Sequence, residues 1–241
     1  MNIQPVSISV GSEKLSGLLY IPQNVNNTKF PSVVIFHGRG SNKNRYVDRG
    51  EVLVEKGILT LIYDFRGCGE SDGYLKKQTI AMGFADAVAG YEFLKNHPLC
   101  DKNRLGVLGG SFGGYQAALL SEKYPITSLV LSVPAIYQDK WWNVVPETMD
   151  PERKNLYKQQ SGLENTKAIR AIRKYSEKIL VIEHENDEVI PHKVIEAYYS
   201  NASNAKLKEM KIIPNAPHAL HDQLFVKQSI DIVVKWFMKT L

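Results

Sequence analysis

The sequence predicts an α/β architecture: a mostly parallel, eight-stranded sheet flanked by helices, with one small helical insertion. Three observations carry this. Eight short apolar runs alternate with longer amphipathic stretches along most of the chain, which is the rhythm of strands joined by crossover helices. The central runs are rich in Val, Ile and Leu without polar alternation, as strands covered on both faces are. A length of 241 residues with 44% hydrophobic content supplies one core of ordinary size, so a single domain is expected over 1–241.

VSISV (6–10) and LSGLLYI (15–21) read as an antiparallel pair at the start. SVVIF (32–36), ILTLIYDF (58–65), RLGVLG (104–109) and SLVLSV (128–133) follow as buried strands, then KILVIEH (178–184) and KLKEMKII (206–213). Helices are expected over 46–56, 80–96, 115–123, 191–200 and 223–239, where apolar residues recur at intervals of three and four. In 80–96 that stripe is Phe84, Val88, Tyr91 and Leu94. Right-handed crossovers between such strands produce a parallel sheet. Residues 135–175 break the rhythm. They hold no strand pattern, open with Tyr137, Trp141 and Trp142, and contain the helical stretches ERKNLYKQQ (152–160) and KAIRAIRKY (167–175). This reads as a cap insertion over the carboxyl end of the sheet.

Charge and composition remove several classes of function. Thirty Lys+Arg against 25 Asp+Glu leave +5, but the signs are interleaved, so no nucleic-acid partner is indicated. No run approaches the roughly 18–20 apolar residues of a membrane span. The N-terminus lacks a basic segment followed by an apolar one, so no signal peptide is expected. Two cysteines, Cys68 and Cys100, are too few for a disulfide scaffold. A cytoplasmic location is expected, and the oligomeric state stays open between monomer and homodimer.

The strongest chemical signal is Gly109-Gly110-Ser111-Phe112-Gly113-Gly114-Tyr115. It follows the strand RLGVLG and opens the helix YQAALLSEK, the strand–turn–helix context that lets a G-x-S-x-G serine act as a nucleophile. Such a turn strains its central residue so that the hydroxyl projects, and close chain passage leaves room only for glycine on either side. A serine needs a base, and the base an orienting acid; in this arrangement they follow in the order Ser, acid, His. Asp187, in the loop after KILVIEH, is the expected acid, with Glu185 and Glu188 as rivals. His218, in the loop after KLKEMKII, is the expected base, with His221 second. An oxyanion hole is expected from the backbone N–H groups of Phe112 and of Arg39, the latter in the loop Phe36-His37-Gly38-Arg39-Gly40. His37 is read as holding that loop through ring hydrogen bonds. Tyr137, Trp141 and Trp142 are candidate substrate contacts, the alternative being that the tryptophans only fasten the insertion to the body. Arg39, Lys43, Arg45 and Arg49 gather near the expected mouth. No metal or organic cofactor is implied.

Taken in order, His37-Gly38, Asp64-Phe65-Arg66-Gly67-Cys68-Gly69-Glu70-Ser71, residues 109–114, Asp187 with Ile190-Pro191, and His218 make the chain resemble an α/β-hydrolase over nearly its whole length. The Gly-Gly-Ser-Phe-Gly-Gly-Tyr stretch is similar to the catalytic domains of prolyl oligopeptidases and acylaminoacyl peptidases. The segment 64–73 resembles bacterial esterases, feruloyl esterases among them, and monoacylglycerol lipases. Two departures are Glu185 directly after His184, where many relatives have Gly, and Pro217 directly before the base. Dienelactone hydrolases use Cys and haloalkane dehalogenases Asp as nucleophile, so Ser111 argues against both. The resemblance implies a serine hydrolase of small to medium carboxylic esters or thioesters, or alternatively a small peptidase or amidase of prolyl oligopeptidase-like type.

Overall fold

A computed structural model describes residues 2–23, 29–159 and 162–241. Its strands are β1 (Asn2–Val10), β2 (Glu13–Ile21), β3 (Phe30–Phe36), β4 (Leu59–Tyr63), β5 (Cys100–Gly110), β6 (Ser128–Ser132), β7 (Lys178–His184) and β8 (Leu207–Ile213). They form one sheet in the order β1-β2-β4-β3-β5-β6-β7-β8. β2 runs antiparallel to β1 and β4. Every pairing from β4 through β3 to β8 is parallel. Parallel strands place their carboxyl ends on one edge, so the loops leaving β3, β5, β7 and β8 share a rim.

The helices are α1 (Val47–Glu55), α2 (Ile80–Lys95), α3 (Phe112–Lys123), α4 (Asp150–Gln159), α5 (Lys167–Lys174), α6 (His192–Asn201) and α7 (Gln223–Thr240). α1 and α7 cover one face, burying Leu53, Val54, Val233, Trp236 and Phe237 against Val33, Ile35, Val130 and Leu180. α2, α3, α5 and α6 cover the other, over Val34, Phe36, Val107, Leu129 and Val181. Successive residues of each central strand therefore enter opposite cores, which is why these strands show no polar alternation.

The elements differ from the sequence reading at instructive places. β4 ends at Tyr63 rather than at residue 65. Asp64 is fully buried, and its carboxylate accepts the Lys43 N–H (2.6 Å), the Glu70 N–H (3.0 Å) and the Lys43 ammonium (2.7 Å), so that its side chain serves the following loop rather than a sheet face. α3 starts three residues before the expected 115, because Gly113 and Gly114 lie inside the helix rather than in a preceding turn. Between β6 and β7 the chain forms short 3₁₀ turns at Asp139–Trp141, Pro146–Met149 and Leu163–Asn165, together with α4 and α5. α5 buries Ala168, Ile169, Ala171 and Ile172. The last residue of the expected helix 152–160, Gln160, lies outside the described residues. Among those residues no helix is long and apolar enough to cross a membrane, and both cysteines are buried and unpaired.

Lys43 is buried as well, and its ammonium also meets Glu70 at 2.7 Å. Asp64→Ala removes the buried half of this network and leaves an ammonium held only by an exposed carboxylate. Urea denaturation is expected to show a loss of about 3 kcal/mol, the lower end for breaking a buried ion pair. A loss below about 1 kcal/mol would mean that Lys43 reaches water.

Candidate active site

Ser111 links β5 to α3 with φ 51° and ψ −113°. A residue with a Cβ adopts this region at a cost of about 1–3 kcal/mol. The surroundings impose it. Ser111 N–H donates to the Ser132 carbonyl (2.9 Å), and the Ser111 carbonyl accepts from the N–H groups of Tyr115 (3.1 Å) and Ala135 (3.0 Å). A Cβ on Gly109 would overlap the Gly113 carbonyl, and one on Gly113 would overlap the Phe36 carbonyl. With the backbone so held, the side chain projects from the sheet rim.

His218 arrives from the loop after β8. Its Nε2 lies 3.1 Å from Ser111 Oγ and its Nδ1 2.7 Å from Asp187 Oδ2. The Asp187 side chain is only 3% exposed, and Oδ1 accepts the N–H groups of Val189 (2.7 Å) and Ile190 (2.8 Å). The carboxylate is thus fixed by backbone donors on one oxygen and free to orient the ring with the other. Because Asp187 can only accept, Nδ1 carries the proton and Nε2 turns its lone pair to the hydroxyl.

The rival groups have other partners. Glu185 Oε2 accepts from Asn215 N–H (2.8 Å), and Glu188 Oε2 accepts from the His218 backbone N–H (3.1 Å). The departure from Gly at 185 thus ties the acid loop to the base loop. Asn215 is itself left-handed, at φ 58°. His221 lies beside the Arg45 guanidinium at 2.9 Å. His184, at the end of β7, donates from Nδ1 to the Pro217 carbonyl at 2.9 Å, with the His218 carbonyl at 3.2 Å. Burial holds its pKa below the usual histidine range.

The loop after β3 faces the serine. A Cβ on Gly38 would lie 3.4 Å from the Ser111 Cβ, so the backbone leading into Arg39 passes directly beside it. His37 fastens this loop: its Nδ1–H donates to the Gly38 carbonyl (2.7 Å), and Nε2 accepts Phe65 N–H (2.9 Å). Burial pushes its pKa down to about 4. Phe112 opens α3, where the first N–H groups have no intrahelical acceptor. The Arg39 side chain grips Glu147 with two hydrogen bonds (2.6 and 2.7 Å), Gln78 Oε1 (2.6 Å) and the Leu75 carbonyl (2.9 Å). Sequence spacing offers no clue to these partners, which lie 108, 39 and 36 residues away.

A cavity of about 600 Å³ opens at Ser111 and His218, lined also by Arg39, Tyr137, Val133 and His184. Of the two readings of the tryptophans, the cavity's lining, which includes neither, favours their fastening the insertion over contacting substrate. Trp141 is buried in the core beneath the insertion. The Trp142 ring packs tilted against Phe84 with centroids 5.6 Å apart, and the Lys167 ammonium lies over it at 4.7 Å. Trp142 fastens the insertion to α2, while Trp141 is held within the insertion, its Nε1 reaching Glu152. Tyr137 does line the cavity, its ring edge-on to Phe112 and Tyr115. Among the described residues no group of His, Cys, Asp and Glu is arranged to hold a metal ion.

With this geometry in view, known proteins give the context. The family described as serine aminopeptidase, S33, matches residues 28–177. An uncharacterised Mycobacterium tuberculosis protein is 24% identical over 210 residues, covering 87% of this chain and 70% of that one. Est1E from Butyrivibrio proteoclasticus, solved with ferulic acid bound, superposes with a TM-score of 0.74 at 20% identity, covering 97% and 99% of the two chains. The Pyrococcus furiosus esterase Pf2001 gives 0.73 at 23% identity, covering 99% and 93%. At such identities the structural likeness speaks for the fold, which is that of the α/β-hydrolases.

The buried histidines make stability depend on pH. The fold holds His37 and His184 neutral, so below about pH 6.5 the unfolded chain takes up protons that the folded chain refuses. Stability is expected to fall as pH drops from 6.5 towards 4, where His37 itself protonates. Chemical denaturation across this window is expected to show a shallower acid slope in His37→Gln than in wild type. Parallel slopes would contradict the assigned neutral state.

Proposed function

We propose, for a chain that belongs to the serine aminopeptidase S33 family and is a hydrolase of the α/β-hydrolase fold, that it cleaves carboxylic esters or thioesters of small to medium acyl groups through Ser111, His218 and Asp187. The observation that carries the proposal is the continuous chain of contacts from Asp187 Oδ2 to His218 Nδ1 (2.7 Å) and from His218 Nε2 to Ser111 Oγ (3.1 Å).

In this reading Oγ bonds to the substrate carbonyl carbon while its proton passes to His218 Nε2. The carbonyl oxygen gains the negative charge and accepts hydrogen bonds from the Phe112 and Arg39 backbone N–H groups, each worth about 10²–10³ in rate. Collapse breaks the carbon–oxygen or carbon–sulfur bond, and His218 returns the proton to the leaving alcohol or thiol. Water then attacks the acyl-enzyme with His218 again as base, releasing the acid and restoring Ser111. Asp187 keeps Nδ1–H in place and stabilises the imidazolium without itself taking the proton.

The cavity volume suits a small or medium acyl group. We assign residues 135–175 as a cap, supported by Tyr137, Pro146, Glu147 and Asp150 among the cavity walls. A reducing cytoplasm suits the two unpaired buried cysteines. The family's description favours a second reading, a small peptidase or amidase. An aminopeptidase must hold a substrate ammonium; of the cavity's two acidic residues, Glu147 and Asp150, Glu147 is engaged by Arg39 and Asp150 has an interaction of its own, while Arg45 and Arg49, which also line the cavity, would repel such a group.

Hydrolysis of p-nitrophenyl esters is expected to exceed that of aminoacyl anilides, and the reverse order would favour the peptidase. Ser111→Ala is expected to lose ester turnover by about 10⁴-fold or more, and Asp187→Asn by about 10³–10⁴. Retention of more than about one per cent in Ser111→Ala would overturn the assignment of the nucleophile.

A further inference from the structure

One wall of the cavity beside Ser111 is cationic, and we infer that Arg45 and Arg49 bind a carboxylate carried by the substrate, so that the preferred ester is an acidic one such as a half-ester of a dicarboxylic acid. This inference takes the reacting end of the substrate from the ester-hydrolase reading above; the anion site itself stands on separate residues.

Of the four basic residues that the sequence gathers near the mouth, two are neutralised. Lys43 is buried on Asp64 and Glu70, and Arg39 is paired with Glu147. The other two, Arg45 and Arg49, both line the cavity. Arg49 is only 7% exposed. Its guanidinium donates to neutral groups, the Ser229 hydroxyl (3.0 Å) and the Arg45 carbonyl (3.3 Å), and lies 5.0 Å from the centre of the Tyr46 ring. Arg45 donates to an imidazole nitrogen of His221. Among the described residues neither arginine has a carboxylate within ion-pairing distance. Asp48, on the same helix as Arg49, acts on it only from further away.

A buried guanidinium without a counter-ion is unfavourable. Burial accordingly pulls the Arg49 pKa down from its ordinary value. A ligand carboxylate would supply the missing charge and accept from the planar fork with two parallel hydrogen bonds. Tyr46 connects this cation to the nucleophile. Its hydroxyl fills the space that a Cβ on Gly110 would need, next to Ser111, while Arg49 stacks over the same ring. Tyr46 therefore touches Arg49 on one side and the backbone next to Ser111 on the other, which places cation and nucleophile along the same cavity.

The test compares mono-p-nitrophenyl glutarate with p-nitrophenyl valerate, which have the same five-carbon acyl chain with and without a terminal carboxylate. Wild type is expected to prefer the glutarate by about tenfold or more in kcat/KM, with the preference shrinking as salt rises. Arg49→Gln, and separately the exposed Arg45→Gln, are expected to lower the glutarate-to-valerate ratio about tenfold. An absent preference in wild type, or a ratio unchanged in both variants, would overturn the inference. A binding arm separates it from the esterase reading: calorimetry of monomethyl glutarate on Ser111→Ala, with and without Arg45→Gln. Arginine-dependent binding supports the anion site even where no ester is cleaved. Absence of binding to Ser111→Ala overturns the site even where esters are cleaved.

Discussion

The organising constraint is the backbone of Ser111, held at φ 51° in a turn too tight for side chains at Gly109 and Gly113. The strain is local, but what maintains it is not. Residues 112–120 of α3 are all buried, and β5 lies in the interior of the sheet between β3 and β6. The helix cannot shift to relax the turn without opening the core on that face. A few kcal/mol of conformational strain is small beside the burial of such a helix, so the hydroxyl is presented at the rim as a consequence of how the domain packs.

The same sheet brings the distant partners to that hydroxyl. β3, β5, β7 and β8 are parallel, and their carboxyl ends deliver Gly38, Ser111, Asp187 and His218 to one edge, where open α/β sheets bind their ligands. The loops are then fixed by backbone-directed contacts. His37 ties the β3 loop to Phe65, Asp64 ties Lys43 to Glu70, and His184, Glu185 and Glu188 lock the β7 and β8 loops to each other. A base held on both sides by its own loop contacts loses little freedom on reaching the transition state.

How legible this was in the sequence follows from the range of each interaction. The strands were readable because burial on both faces leaves unbroken Val, Ile and Leu runs, and Ser111 because glycine spacing and strand–turn–helix context are local. The order of Ser111, Asp187 and His218 along the chain pointed to residues that lie within hydrogen-bond distance of one another. Long-range polar pairing left no such trace. Nothing in a run of nearby cations tells which are neutralised, since Lys43 is matched 21 residues away and Arg39 108 residues away. The role of the tryptophans stayed open for a related reason: an aromatic in an insertion has the same composition whether it lines a cavity or anchors the insertion, and Trp142 meets Phe84 from a distant helix.

The most direct measurement is covalent labelling with a fluorophosphonate, in which an activated serine oxygen displaces fluoride from phosphorus, followed by mass spectrometric location of the adduct. The account predicts a single adduct on Ser111 in the folded protein, lost in His218→Ala although Ser111 is still present. An adduct elsewhere, or labelling of Ser111 that is indifferent to His218, would contradict it.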